Sequence, residues 1–296
     1  ARRYGHLRRR AVLLAAALMA SAAPALASAP PQLLESVPDA ARPVERAITL
    51  APHITELVYA AGAGDKIVGT VISSDYPDEA KRIPRVGDGM NIDVERTIAL
   101  RPGLVIAWQP SGAARTLAPV LDRLGIPLAY SEPKRLDDLP AEVLRMGKYF
   151  GTQPVARATA EAMRHRLAML RARYAGKPPI RVFIQVGSDP LYTLGSDPLL
   201  NDVLSTCGGV NIFEDATVAA PQVNEETVMQ KRPAVVIVPS NRPQAAARDA
   251  ARWQTLRLPA AMSGRIYGMD PDTLFRPGPR LIDATEELCR LLDLSR

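Results

Sequence analysis

A short sequence unit that occurs twice constrains the fold of this chain more than any other feature. The first copy is NIDVERTIALRPGLVIAW at residues 91–108, and the second is QVNEETVMQKRPAVVIVP at residues 222–239. In both copies a glutamate lies six residues before an Arg-Pro pair, and an apolar run follows. A polar start and a proline stop are typical of a short helix, and the apolar run is typical of a buried strand. The repeat predicts one helix-then-strand unit in each half of the chain.

Charge is concentrated at the start of the chain. Five of the 37 basic residues lie in the first ten positions, and no acidic residue precedes Glu35. Without residues 1–27 there remain 32 basic and 31 acidic residues, a balance of +1. A near-neutral body lacks the basic face that phosphate binding requires, so no nucleic acid is expected as a partner.

The first 27 residues have the pattern of a secretory signal. Arginines precede an apolar run at residues 11–20, and Ala-Leu-Ala at 25–27 supplies a small-residue cleavage site. The apolar run is too short to span a bilayer comfortably, which favours export with cleavage over a membrane anchor or a short buried helix. Residues 28–45, rich in Ala and Pro, are expected to be a flexible lead-in.

The chain has two cysteines, Cys207 and Cys289. In an oxidising compartment, two lone cysteines far apart in sequence most often form one disulfide, and the alternative is a pair of buried free thiols. No metal site is expected, because His53 and His165 are the only histidines after residue 27. The common nucleophile, zinc, P-loop and dinucleotide motifs do not occur in the sequence, so we expect no enzyme and no cofactor.

Strand and helix patterns alternate over residues 46–152 and again over residues 176–296, which predicts two mostly parallel α/β lobes. Ligands of open α/β sheets bind at the carboxyl ends of the strands, and a cleft between lobes is a natural pocket. The sequence therefore favours a binding protein. Residues 187–193 and 270–278 are expected to be loops at such strand ends.

The longest uninterrupted helical pattern lies between the two lobes, at residues 153–175. About 31 Å of helix is enough to cross from one lobe to the other, which favours a connecting helix over an ordinary packing helix. We expect its apolar stripe to comprise Ala158, Ala162, Leu167, Leu170 and Tyr174.

Several longer motifs carry a family resemblance. They are ITLAPHITELVYAAG at 48–62, SSDYP at 73–77, VERTIALRPGLVIAW at 94–108, KPPIRVFIQVG at 177–187, CGGVNIF at 207–213 and PQVNEETV at 221–228. On these motifs the chain resembles the class III, or helical-backbone, periplasmic substrate-binding proteins of ABC importers, and most of all their vitamin B12 (cobalamin)-binding branch. The resemblance implies two Rossmann-like α/β lobes joined by one long rigid helix, a modest hinge motion, and a Cys207–Cys289 disulfide.

The same resemblance implies partners for the protein. Its ligand would be cobalamin or a related corrinoid, captured between the lobes of a periplasmic monomer. Glu95 and Glu226 match the glutamates that dock onto the two halves of an ABC importer permease dimer. A matched acid on each lobe suits a two-fold partner, although a glutamate in a first helical turn is also favoured by the helix dipole alone.

The expected ligand contacts follow from the chemistry of a corrin, which is large and has apolar edges and many amides. The resemblance implies aromatic contacts from Trp108 and Tyr192 and polar contacts from Asp272 and Arg276. Phe275 lies in the same loop, Ser73 stands where close relatives carry a tyrosine, and His53 is a candidate for approach to the ligand's metal, so these three complete the expected set.

The chain also departs from the resemblance. Gly-Asp-Gly before Met90, Ala220 and Val186 all replace aromatic residues of close relatives, so we expect a more open and less aromatic cleft. An iron-siderophore or haem carrier of the same fold is the alternative, for which Arg276 and Arg280 supply a small basic cluster. An enzyme or interaction module built on this fold is a third hypothesis, and the missing catalytic motifs weigh against it.

Overall fold

A computed structural model describes residues 42–110, 112–240 and 243–296. The predicted signal sequence and most of the lead-in therefore lie outside the described residues. Within the described ranges, no helix combines the length and the apolar character that crossing a bilayer demands.

The first sheet has five strands in the order β3-β2-β1-β4-β5, and every neighbouring pair is parallel. The strands are β1 (Ala47–Thr49), β2 (Ile67–Val71), β3 (Arg85–Gly87), β4 (Leu104–Ala107) and β5 (Leu128–Tyr130). Its helices are α1 (Pro52–Ala60), α2 (Val94–Ala99), α3 (Gly112–Arg123) and α4 (Asp138–Phe150). We call this sheet and its helices the N lobe.

The second sheet is mixed, with β9 between β10 and β6, and β7 and β8 also paired to β6. Its strands are β6 (Ile180–Ser188), β7 (Leu191–Thr193), β8 (Gly209–Asn211), β9 (Val235–Pro239) and β10 (Ile266–Met269). Its helices are α6 (Pro198–Thr206), α7 (Glu225–Lys231), α8 (Pro243–Thr255), α9 (Pro259–Met262), α10 (Pro271–Leu274) and α11 (Leu281–Asp293). We call this sheet and its helices the C lobe.

Two segments expected to be loops are more ordered than predicted. Residues 187–193 form a hairpin, in which β7 runs antiparallel to β6 and pairs Leu191 with Ser188. Residues 270–278 begin with the one-turn helix α10, whose start is capped by the Asp270 carboxylate accepting from the Asp272 N–H. Both segments are too short to show a hydrophobic period, so the sequence pattern could not reveal them.

Helix α5, at Gln153–Tyr174, separates the two lobes along the chain. Its buried face differs from the predicted stripe, because Ala158 and Ala162 are exposed while Ala156, Ala160 and Met163 are buried. Contact with α4 explains why the buried face of α5 differs from the predicted one. A Cβ added at Gly147 of α4 would lie 2.3 Å from the Ala156 Cβ. Glycine therefore allows α4 and α5 to approach closely with Ala156 between them.

One apolar core runs through both lobes. It continues from α1 and α4 across α5 to α6 and α11, and it includes Leu57, Met146, Leu167, Leu204 and Leu288. Each lobe has a second cluster beneath the other face of its sheet, around Val105 in the N lobe and around Trp253 in the C lobe. Because the shared core is continuous, the lobes are joined by burial of apolar surface as well as by the chain.

The repeated sequence unit folds in the same way twice, as predicted. The Asp93 carboxylate accepts from the Arg96 N–H at the start of α2, and the Asn224 side chain accepts from the Thr227 N–H at the start of α7. Both caps satisfy a helix-start donor that has no partner within the helix.

The two copies also end alike. Arg101 and Arg232 adopt left-handed backbone conformations, with φ of 48° and 46°, just before the prolines. An arginine at the start of the neighbouring strand then caps each helix. Arg46, just before β1, donates to the Leu100 carbonyl at 2.7 Å, and Arg181 of β6 donates to the Lys231 carbonyl at 2.6 Å. Helices of six and seven residues are too short to be stable alone, so these contacts hold them to their sheets.

The predicted disulfide is present. Cys207, which follows α6, is bonded to Cys289 in α11 across 82 positions of sequence, and both residues are fully buried in the shared core. The bond ties the last helix of the chain to the C-lobe sheet.

The contact between α4 and α5 generates a stability prediction. Gly147→Ala should lower the free energy of unfolding by about 1–3 kcal/mol through overpacking, although alanine is the better helix former. Urea unfolding followed by circular dichroism measures this. Adding Ala156→Gly should recover part of the loss, and a Gly147→Ala variant as stable as wild type would contradict the close approach.

Candidate functional site

The carboxyl ends of the central N-lobe strands open into a cavity of about 290 Å³. The residues that follow β1, β2 and β4 line it, as expected for a parallel sheet. We call it the N-lobe cavity, and its walls include Leu50, Ser73, Asp88, Met90, Trp108 and Gln109.

A smaller cavity of about 90 Å³ lies between the two lobes. The N lobe contributes Trp108 and residues 132–134 to its lining, and the C lobe contributes Leu199, Phe275 and Leu281 among others. We call it the interlobe cavity. Its lining is largely apolar, and its one cationic residue, Lys134, is paired with Glu132.

Trp108 lines both cavities and is 44% exposed. It follows the buried strand β4, whose carboxyl end carries it out of the core to the cleft. The His53 ring supports it edge-on, with ring centroids 5.6 Å apart and an interplanar angle of 79°. An exposed indole that is held in one orientation is a suitable surface for stacking on a large ligand.

His53, expected among the ligand contacts, does not face the cleft. It is 2% exposed, and its Nε2 lies 3.3 Å from the Ser131 carbonyl oxygen. Burial lowers the pKa of the imidazole to about 4, the Ser131 carbonyl opposes this shift, and the positive charge of Arg276 adds to it. The ring is therefore neutral at physiological pH and acts as a support behind Trp108.

Five charged residues from both lobes meet beside the interlobe cavity, and we call them the arginine cluster: Glu56, Asp75, Asp272, Arg276 and Arg280. Arg280 of the C lobe donates to both carboxylate oxygens of Glu56 in α1, at 3.0 and 2.6 Å. Arg276 donates to Asp75 of the N lobe and to Asp272 of the C lobe, each at 2.7 Å. The cluster thus contains three carboxylates and two guanidinium groups, so both cations are paired and the formal net charge is −1.

The arginine cluster changes the interpretation of two expected ligand contacts. Asp272 and Arg276 are paired with each other, and Arg276 also binds Asp75 of the N lobe. Hydrogen bonds to Glu56 raise the pKa of the Arg280 guanidinium. Burial by itself would raise the pKa of the Asp75 carboxyl, but the hydrogen bond and charge of Arg276 outweigh it and lower the pKa. The Arg280 guanidinium and the Asp75 carboxylate therefore keep their charges.

The remaining expected ligand contacts lie in separate places. Ser73 lines the N-lobe cavity, and Phe275 lines the interlobe cavity. Tyr192 is 37% exposed on the β7 hairpin of the C lobe and lines neither of these two cavities. The structure brings Ser73 and Phe275 together with Trp108, while Tyr192 stands apart.

The two glutamates of the repeated unit are both exposed, in the first turns of α2 and α7. Helices that precede parallel strands start at the edge where those strands end, so both glutamates lie toward the cleft-side edge of their sheets. Glu226 accepts a long hydrogen bond, at 3.3 Å from Gln230, while the adjacent Glu225 is paired with Arg252. Both side chains are accessible to a partner.

Sequence reasoning missed several residues of the site. Glu56 is nearly fully buried and is joined to Arg280 across 224 positions, a separation that no local pattern signals. Met90, 72% exposed at the N-lobe cavity, and Glu132 with Lys134 at the interlobe cavity were also not anticipated. Among the described residues, no group of three or more histidine, cysteine or acidic side chains is arranged to hold a metal ion.

The buried His53 generates a pH prediction. Its pKa is about 4 in the folded protein and 6.5 when unfolded, so between these values the unfolded chain binds a proton that the folded chain does not. The stability of the protein should therefore fall as pH drops from 6.5 to 4, by about 3 kcal/mol from this group.

Urea unfolding across that pH range tests this account. His53→Asn should flatten the dependence, because the amide does not titrate. His165→Asn, on the exposed face of α5, is the control and should leave it unchanged. An equal pH dependence in wild type and His53→Asn would contradict the buried neutral imidazole.

Comparison with known proteins agrees with this architecture. Residues 48–273 match the periplasmic binding protein family. The vitamin B12-binding protein of Vibrio cholerae serotype O1 is 38% identical over 254 residues, which cover 86% of this chain and 91% of that protein.

Solved structures give the same result. The periplasmic vitamin B12 binding protein BtuF of Vibrio cholerae superposes with a TM-score of 0.79 at 37% identity, covering 86% of this chain and 98% of that one. The periplasmic heme-binding protein RhuT from Roseiflexus sp. RS-1 superposes with a TM-score of 0.73 at 26% identity, covering 85% and 99%. With a family match over most of its length and the two-lobed fold described above, the chain belongs to the periplasmic binding protein family.

Proposed function

We propose that the protein captures cobalamin or a related corrinoid between its lobes and delivers it to an ABC importer. One observation carries the choice of ligand: the cationic groups around the cleft are already neutralised. In the described part of the chain, Lys134, Arg276 and Arg280 are each paired with at least one carboxylate.

This pairing of the cations distinguishes between the ligand classes of related carriers. Haem carries propionate carboxylates, and many siderophores are anionic, so their carriers need cationic groups that are free to pair with them. A corrin offers mostly neutral amides and apolar edges. A cleft with an exposed indole and with its cations already paired suits the corrin better, since burying an unpaired carboxylate there would be costly. The similarity to vitamin B12-binding proteins supports the same choice.

In this proposal the residues around the cleft have different roles in binding the ligand. Trp108 stacks on the corrin, and Phe275 adds apolar contact at the interlobe cavity. Ser73 and Asp272 bond corrin amides, and Arg276 does so through N–H groups beyond those in its ion pairs. Tyr192 contacts the part of the large corrin that extends beyond the two cavities toward the β7 hairpin. His53 acts indirectly, by supporting Trp108.

An iron-siderophore or haem carrier is the second candidate function, and the similarity to the heme-binding protein RhuT favours it. The exposed Met90 and Tyr192 are potential ligands for an iron centre. The paired state of Arg276 and Arg280 argues against this candidate.

Delivery to a permease is the other half of the proposal. Glu95 and Glu226 lie at equivalent positions of two lobes with the same local fold, which suits one contact on each half of a two-fold permease dimer. The protein would act as a periplasmic monomer, exported by the cleaved signal sequence at residues 1–27.

Ligand titration tests the choice of ligand. Cyanocobalamin, haem and a ferric hydroxamate are titrated separately into the mature protein while tryptophan fluorescence is followed. Cyanocobalamin should give a saturable response, which Trp108→Phe should largely remove, while the buried Trp253 remains as an internal reference. Calorimetry should show affinity for cyanocobalamin about tenfold weaker in Trp108→Ala. Saturable binding of haem or the hydroxamate without cobalamin binding would favour the second candidate.

Uptake measurements test the docking role. Glu95→Ala with Glu226→Ala should abolish cobalamin uptake by cells or by proteoliposomes containing the permease, because each lobe loses its charged contact. Ligand affinity should stay unchanged. Glu161→Ala, an exposed glutamate on α5, is the matched control and should transport normally. Normal uptake by the double variant would refute the docking role.

A further inference from the structure

We propose that the arginine cluster is a latch between the lobes, with Glu56 as its central positioning residue, and that this latch sets how fast a ligand leaves the cleft. The inference deepens the proposed function and rests on it only for the ligand measurement. It assigns Glu56 and Arg280 a role in lobe geometry rather than in contact with ligand.

The central side chains of the arginine cluster are largely buried. The Glu56 side chain is 2% exposed, and those of Arg276 and Arg280 are 12% and 17% exposed. A carboxylate at that depth is stable only while its charge is compensated. Its partners come from the other lobe, at 2.6 Å from Arg280 and 3.6 Å from Arg276. Opening the cleft would separate Glu56 from both, so the charge favours the closed arrangement.

The cluster also joins segments rather than single residues. Arg280 also lies over the Tyr76 ring, 4.1 Å from its centroid, and Arg276 holds Asp75 in the same N-lobe loop. Gly278, between the two arginines, lies against α1, where an added Cβ would be 3.3 Å from the His53 Cβ. Residues 75–76 of the N lobe and 276–280 of the C lobe are thereby held as one unit.

The N-lobe side of the latch is itself fixed from within. Thr49, Thr55, Thr70 and Ser74 are fully buried, and their hydroxyls bond one another at 2.7–3.1 Å. Ser74 directly precedes Asp75, so this hydroxyl network anchors the loop that Arg276 grips. Asp75 therefore has little freedom to follow Arg276 if the lobes separate.

The rest of the lobe boundary is held by a different kind of contact. Behind the cleft the shared apolar core is continuous, and the Asp202 carboxylate of α6 accepts from the Leu136 N–H at 2.8 Å. A close-packed core does not slide freely, so that side behaves as a hinge. The ionic contacts beside the cavity are then the ones that must break when the lobes separate.

Two measurements test the latch, and the first needs no ligand. Spin labels at Leu124→Cys and Met262→Cys, exposed positions on opposite lobes and outside the cluster, report lobe separation by electron–electron double resonance. Glu56→Gln and Arg280→Gln should lengthen and broaden the distance distribution. The matched control is Arg166→Gln, which removes an α5 arginine that is paired with Asp283 and Glu286 of α11, and it should leave the distances unchanged.

The second measurement is the dissociation rate of cyanocobalamin by stopped flow. Glu56→Gln and Arg280→Gln should raise it about tenfold over wild type and over Arg166→Gln. Asp75→Asn, at the more exposed rim of the cluster, should show a smaller change in the same direction. Asp75→Asn therefore still tests the latch if a variant at Glu56 does not fold.

The outcomes separate the latch from the choice of ligand. Longer distances in a protein that does not bind cobalamin would support the latch and refute the proposed ligand. Unchanged distances in both Glu56→Gln and Arg280→Gln would overturn the latch, even if dissociation were faster, because the residues would then act on the ligand directly.

Discussion

The continuity of the apolar core through α5 is the constraint on which the rest of this structure depends. A binding protein with two lobes needs a cleft, and a cleft needs walls that keep their positions. Here α4, α5, α6 and α11 share one buried cluster, and the close approach of Gly147 to Ala156 sets the rotation of α5. The strand ends of each lobe are thereby held facing a common space, where Trp108 reaches the surface.

The distribution of charged side chains gives different surfaces of the protein different roles. The arginine cluster uses its cations internally. The walls of the N-lobe cavity offer an indole, apolar groups, the neutral polar groups of Ser73 and Gln109, and the Asp88 carboxylate. Outside the cleft, Glu95 and Glu226 keep accessible carboxylates on short helices that are capped in the same way at both ends. A nearly neutral ligand and a cationic partner would thus meet separate surfaces of the same molecule.

Much of the fold could be predicted from short stretches of the sequence. The N-caps, the Arg-Pro stops and the apolar strands of the repeated unit are encoded within a few residues, and so is the emergence of Trp108 at a strand end. The buried face of α5 was predicted wrongly because alanines lie on several faces of this helix. Packing against Gly147 determines which of these faces is buried. The Glu56–Arg280 pair and the burial of His53 depend on the meeting of the lobes, which a linear pattern does not contain.

The burial of the Cys207–Cys289 bond has a consequence for its chemistry. Thiol–disulfide exchange requires a thiolate to approach a sulfur in line with the bond, and here both cysteines are fully covered by the shared core. A reductant can therefore attack only after α6 and α11 have parted. The rate at which dithiothreitol reduces this bond under native conditions would then measure how often α6 and α11 separate. The disulfide thus reports an opening motion of the C lobe that changes the spectra of the protein little.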